Sequence, residues 1–270
     1  MKFALGSDLH LVYEGFDFLP VKAEGVSTLV LAGDTIEVDL LKQKTAQRDR
    51  VVDYLKALND NFETVIYVMG NHEHYDNSFI HTEQNLRTQF VKSGLTNFKL
   101  LEKTTHEVED AIFFGATMWT TFRNGNAQAM WDAQTLMNDY NAIHLGKASS
   151  AWGDKQKLMP EDTAAQCKRT KIKIQEFADL KTDKKKVLVT HMAPCALSIP
   201  EHYKNEKTND SYFEDISEML MDSDIKVAVH GHIHDPVCYT IGDIYIVSNP
   251  RGYHGHQPQT LCYDFEIVNV

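Results

Sequence analysis

Apolar and β-branched runs punctuate the chain at Phe3-Ala4-Leu5, Thr28-Leu29-Val30-Leu31-Ala32, Val65-Ile66-Tyr67-Val68, Val187-Leu188-Val189 and Val227-Ala228-Val229. Short runs of this kind, bounded by turn residues, predict buried strands. Between them the apolar positions take helical spacing. Val51, Val52, Leu55 and Leu58 share one face; Leu86 and Phe90 share another before Gly94; Phe213, Ile216 and Leu220 share a third, with Asp210 or Ser211 as its cap. A second group of shorter, more alternating strands is predicted at 98–101, 107–109, 111–115, 237–241, 244–248 and 261–268. Glu109-Asp110 and Gly242-Asp243 supply hairpin turns. Two stacked sheets with helices outside accommodate both groups, an α/β architecture.

The stretch 120–162 departs from this rhythm. It is rich in Asn, Gln, Trp and small residues, and predicts helices at 127–138 and from Pro160, a residue suited to a first helical turn. It reads as a helical insert, with structural packing preferred over a substrate-covering lid. Trp119, Phe122 and Trp131 are assigned to core packing, and the lysine-rich run 181–186 to a solvated turn.

Composition narrows the picture. The 270 residues suffice for a proper core, and the candidate site draws on residues from Asp8 to His234, so one domain over 1–270 is expected. Lys and Arg number 27 against 38 Asp and Glu, and a formal charge of −11 argues against a salt-driven grip on nucleic acid. Cys167, Cys195, Cys238 and Cys262 form no C-x-x-C pair and read as packed, reduced thiols. Asp8 and His10 interrupt the first apolar stretch, which excludes a signal peptide there, and no stretch approaches the roughly 18 apolar residues of a membrane span. A cytoplasmic protein without membrane partners is expected.

The chemistry sits where the strands end. Asp8-x-His10, Gly33-Asp34, Gly70-Asn71-His72-Glu73, Thr190-His191 and Gly231-His232-x-His234 each follow one of the apolar runs. In open α/β sheets ligands bind in the crevice beyond the carboxyl ends of the strands, so these distant clusters can converge. Imidazole, carboxylate and amide oxygen together suit first-row divalent metals. A single carboxylate, Asp34, is the economical bridge between two cations. Histidine ligands need a carboxylate or carbonyl to fix the ring, and Glu37, Glu73 and Asp235 are near enough in sequence for that.

The ordered set D-x-H, G-D, G-N-H-E, H and G-H-x-H resembles the calcineurin-like metallophosphoesterase superfamily over nearly the whole chain. The resemblance implies a four-layer αββα sandwich, with two mixed sheets and a dinuclear metal site at the C-terminal ends of the strands. It implies that one ion takes Asp8, His10, Asp34 and His234, and the other Asp34, Asn71, His191 and His232. His72 then faces the substrate as proton donor, with Glu73 as its orienting partner. Two divalent ions are implied (Mn, Fe, Zn, Ni or Co, with manganese preferred). Glu37 stands where many relatives have Asp, and no arginine follows the second motif or precedes Gly70. The chain therefore looks closer to the small bacterial and phage-type members than to Ser/Thr protein phosphatases.

The expected function is hydrolysis of a small phosphate ester, diester or monoester, by a hydroxide that the two cations generate from water. The alternatives are a metal-stabilised binding scaffold without turnover, or a nuclease using the same site. The partner is a small phosphorylated substrate, with no stable nucleic-acid binding. Arg251 is a candidate phosphate contact, and His74 and Tyr75 are placed to touch a leaving group; His254 and His256 are read as exposed loop residues.

Overall fold

A computed structural model describes residues 1–13, 15–146 and 156–270. One sheet orders its strands β11-β1-β2-β3-β4, from β1 (Lys2–Gly6), β2 (Thr28–Ala32), β3 (Thr64–Val68), β4 (Phe98–Leu101) and β11 (Glu266–Asn269). The other runs β5-β6-β7-β8-β10-β9, from β5 (Thr104–Val108), β6 (Ala111–Ala116), β7 (Lys185–Thr190), β8 (Ile225–His230), β9 (Val237–Ile241) and β10 (Ile244–Ser248). Both are mixed: β1 through β4 and β6-β7-β8-β10 are parallel, while β11, β5 and β9 add antiparallel edges.

The strands that read as unbroken apolar runs are the central parallel ones, because each must be apolar on both faces. Phe3, Leu5, Val30, Ile66 and Val68 meet Phe113, Val187, Val189, Val229 and Val247 between the sheets. The opposite face of the first sheet packs on α1 (Ala46–Asn61) and α2 (Thr82–Ser93). That of the second packs on α4 (Ala127–Leu136), α6 (Pro160–Asp179) and the short α7 (Ser217–Met221). The result is the expected αββα sandwich. Among the described residues no helix is long and apolar enough to cross a membrane.

The expected insert contributes α3 (Phe122–Gly125), a left-handed turn, then α4, α5 (Asp139–Ala142) and the first residues of α6; its stretch 147–155 lies outside the described residues. Trp119 and Phe122 are buried as expected, but Trp131 is 65 % exposed on α4.

Other boundaries moved for identifiable reasons. The strand expected at 261–268 is only Glu266–Asn269, because Pro250 bridges to Ser7 beyond the end of β1, while the Asn249 amide binds the Asp264 carbonyl at 3.0 Å. The helix expected from Phe213 begins at Ser217: Phe213 is held extended by a bridge to Ala193, and Asp210 and Ser211 belong to their own turn. Lys185 and Lys186 lie in β7 rather than in a solvated turn. Lys186 is 1 % exposed, its ammonium bound to the Ala178 carbonyl at 2.9 Å and to Asp224 at 2.5 Å. All four cysteines are free thiols, but Cys238 and Cys262 are exposed rather than packed.

The sheets approach closely at Gly115 in β6, where a Cβ would lie 2.5 Å from Leu101 Cβ and 2.7 Å from Val68 Cγ2. Gly115→Ala is expected to destabilise the fold by about 1–3 kcal/mol through overpacking. Chemical denaturation is the check: an unchanged midpoint would mean that the sheets separate freely there.

Candidate metal centre

Five loops leave the carboxyl ends of β1, β2, β3, β7 and β8 at one edge of the sandwich, and every motif residue lies on or beside them. Backbone bonds lace the loops together. Asp8 N–H donates to the Gly33 carbonyl at 3.0 Å, His10 N–H to Asp34 at 2.9 Å and Gly231 N–H to His191 at 3.0 Å. The loops turn so sharply that Asp8, His10, Asp34 and His232 adopt positive φ of 52°, 47°, 53° and 68°. Such conformations in residues with a Cβ cost about 1–3 kcal/mol each, and surrounding bonds must hold them.

Glu73 supplies many of those bonds. Its wholly buried carboxylate accepts from the N–H groups of Gly70 (2.6 Å), Thr35 (2.8 Å), Asp34 (3.1 Å) and Ile36 (3.3 Å), and from the Tyr67 hydroxyl (2.6 Å). It thus fastens the β2 loop to the β3 loop and does not orient His72, as the sequence suggested. Glu37 is the carboxylate near that ring, its oxygen 3.8 Å from His72 Nδ1. A Cβ on Gly70 would lie 2.1 Å from Asp34 Oδ1, so the loops close only over glycine.

Three overlapping groups of side chains bring potential ligand atoms within 4.8 Å of one another: Asp8, His10 and His234; His10, Asp34 and His72; Asp34, His191 and His232. Asp34 Oδ2 lies 3.3 Å from His191 Nε2 and 3.9 Å from both His10 Nε2 and His72 Nε2, while its Oδ1 accepts from the His72 N–H at 2.8 Å. Asp8 accepts from the His232 N–H at 3.0 and 3.1 Å and lies 3.4 Å from His234 Nε2. His10 and His234 face each other, Nε2 to Nε2, at 3.2 Å. The structure thus gathers Asp8, His10, Asp34, Asn71, His72, His191, His232 and His234 at one place.

Electrostatics fits this donor set to a cation. Burial disfavours charge on Asp8 and Asp34, yet the histidines facing them win: Asp8 falls to about 2, and Asp34 lies well below the usual carboxylate range. Burial likewise opposes protonation of His191, but the pull of Asp34, with Asp8, lifts it to about 10. A pocket negative enough to hold a proton on a wholly buried imidazole makes the same demand on a divalent cation. His191 Nδ1 sits 2.9 Å from the Ala32 carbonyl, an arrangement that turns Nε2 toward Asp34 and Asn71. Burial pushes His232 down to about 3, keeping a neutral ring, and its buried Nε2 finds no hydrogen-bond partner among the described residues. A metal ligand needs that lone pair.

The insert adds a residue that the sequence did not single out. Asp139, buried on α5, accepts from Asn71 Nδ2 at 2.8 Å and from the Tyr75 hydroxyl at 2.9 Å. Holding the amide nitrogen aims Asn71 Oδ1 at His191 Nε2, 3.1 Å away. Tyr75 stacks on His72 with ring centroids 4.1 Å apart, Tyr253 places its hydroxyl 3.0 Å from His72 Nε2, and Tyr212 stacks on His232. No local motif flags Asp139; only the fold places it here.

Two of the expected substrate-side residues do not line the cavity. Arg251 is 0 % exposed and donates to the Leu9 carbonyl at 2.7 Å, so it secures the β1 loop from beneath and does not line the cavity. The parallel bridge between Ser7 and Pro250 sends this segment inward. His74 is buried against Phe79 and Trp119, with its basicity lowered to about 3 by burial, and so packs rather than faces a leaving group. The centre opens into a cavity of about 450 Å³, bounded there by Asp34, Asn71, His72, His232 and His234.

Several solved structures resemble this one, two of them informative to compare. Phosphopantetheinyl hydrolase from Mycobacterium tuberculosis aligns over 99 % of this chain and 95 % of its own, with a TM-score of 0.66 at 16 % identity. A protein assigned as a 5′-nucleotidase from Staphylococcus aureus aligns over 93 % of this chain at 15 % identity and a TM-score of 0.46, this chain spanning 49 % of its length. The first likeness supports the fold. No curated protein matches the chain. Residues 1–236 match the calcineurin-like phosphoesterase family, and a match over so much of the sequence makes this protein a member of that family.

Proposed function

We propose that this protein is a dinuclear metal-dependent phosphoesterase acting on a small phosphate ester, with Asp34 shared between the two ions. The observation that carries this reading is the position of Asp34, common to the donor group that holds His191 and His232 and to the one that holds His10 and His72. Asp8, His10, Asp34 and His234 would hold one cation, and Asp34, Asn71, His191 and His232 the other. Bound there, the pair would acidify a water and neutralise the phosphoryl oxygens. Manganese is the first metal to test.

The remaining steps belong to the protein. His72 faces the cavity from the same loop as Asn71, and burial of its ring is outweighed by the nearby carboxylates of Asp34 and Glu37, which raise its basicity. From that position it can deliver a proton to the departing ester oxygen. Tyr75 and Tyr253 fix the ring by stacking and by a hydrogen bond. Asp139 keeps the Asn71 amide turned with its oxygen inward.

Three outcomes are expected. Purified protein supplied with Mn²⁺ hydrolyses nitrophenyl phosphate esters and carries two metals per chain by elemental analysis, whereas Asp34→Ala loses both properties. Wild-type protein that binds the metals yet stays inert toward a broad panel of phosphate esters would refute the enzyme reading. His72→Ala lowers kcat by about 10²–10⁴ for alkyl leaving groups and much less for nitrophenolate, which leaves without a proton; equal losses would remove the proton-donor role. Asp139→Ala weakens metal affinity about 10- to 100-fold in titration calorimetry, and unchanged binding would show that Asn71 orients itself.

A further inference from the structure

The match to the family ends at residue 236, yet the segment after β10 returns to the metal centre. Pro250 bridges in parallel to Ser7, while Arg251 N–H donates to the Ser7 carbonyl and Gly252 N–H to the Asp8 carbonyl, each at 3.0 Å. Gly252 turns the chain at a φ of 79°, and a Cβ there would lie 2.7 Å from Gln257 Oε1. The next side chain, Tyr253, is thereby delivered to the cavity. Its ring lies against those of His10 and His234, with centroids 4.5 and 4.7 Å away, and meets Tyr13 edge-on at 5.4 Å. Its hydroxyl is 3.0 Å from His72 Nε2, the same nitrogen that lies 3.9 Å from Asp34 Oδ2.

The nitrogen that a proton donor would present to the substrate is thus already met by a hydroxyl. A phenolic hydroxyl accepts one hydrogen bond and donates another. Where Nε2 carries the hydrogen, Tyr253 accepts it, and among the described residues no second partner takes the hydroxyl's own hydrogen. Resting on the phosphoesterase reading, we infer that Tyr253 is a catalytic residue whose hydroxyl stands between His72 and the substrate and donates to the ester oxygen that departs. The step balances as hydrolysis. A water oxygen bonds to phosphorus and the P–O ester bond breaks. The departing oxygen takes the hydroxyl hydrogen while the hydroxyl takes the Nε2 hydrogen, so the alcohol leaves neutral and Tyr253 ends as it began. A proton shed by the attacking water returns to His72 through solvent.

Tyr253→Phe keeps the ring that packs on His10 and His234 and removes only the hydroxyl. It is assayed in manganese-loaded protein on phenyl and diphenyl phosphate, whose leaving group needs a donor, and on p-nitrophenyl and bis(p-nitrophenyl) phosphate, whose leaving group does not. The variant is expected to lose about 10- to 100-fold in kcat on the phenyl esters, with KM nearly unchanged, and less than about threefold on the nitrophenyl esters. It keeps the metal content of the wild type by elemental analysis. Orthovanadate, which adopts the five-coordinate form of a phosphoryl group in flight, binds it about tenfold more weakly. In a His72→Ala background the same substitution still lowers kcat on the phenyl esters, because the hydroxyl remains beside the ester oxygen. An unchanged kcat, equal losses for the two leaving groups, or a metal content that falls overturns the inference. So does a loss that disappears in the His72→Ala background, which would show that the hydroxyl only props the ring. Each of these leaves the phosphoesterase standing, whereas a wild type inert toward these esters and the broader panel with metals bound overturns both.

Discussion

Asp34 is the constraint on which the rest depends. A carboxylate with 1 % exposure, it must present one oxygen to three imidazoles while the other accepts the His72 N–H. That geometry requires a left-handed residue directly after a strand, a neighbouring loop that is glycine at position 70, and a second carboxylate, Glu73, to gather the N–H groups that the turn exposes. Remove any of these and the imidazoles lose their common target. The centre is thus a place where strain and buried charge are concentrated, and three apolar cores hold the strands rigid around it.

The division of labour among the carboxylates follows from what each touches. Asp8 and Asp34 face histidines and sit low in the acid range, as groups that bind cations do. Glu73 faces backbone N–H groups and a tyrosine hydroxyl, and burial beside Asp34 raises it instead. Asp139 holds Asn71 and Tyr75, and Glu37 stands beside His72. Sequence proximity had paired Glu73 with His72; the intervening 3-10 turn at His72–His74 points the two side chains apart.

Much of the molecule was readable in advance because its central strands are apolar on both faces and each ends on a motif. The same cue located the clustered carboxylates and imidazoles, since side chains on strand ends need only strand order to converge. Where reading failed, distant contacts had overridden local pattern. Arg251 reads as a phosphate contact in a loop, but the bridge between Ser7 and Pro250 turns it inward, and Lys186 reads as solvated, but β7 carries it under α6. Asp139 stood in a stretch without periodicity, and nothing local distinguishes a carboxylate that supports Asn71 from one that faces water. Phe213 sat at helical spacing, yet pairing with Ala193 made it extended.

The order of the strands has a consequence for biogenesis. β1 precedes the second sheet in chain order, lies between β2 and β11, and its loop is completed by Gly231 to His234 from the second sheet. A nascent chain therefore exposes Asp8, His10 and Asp34 long before their partners exist, and the finished centre appears only when both sheets have stacked. A cation held there would bind only the stacked form, and so would latch together two halves that lie far apart in sequence.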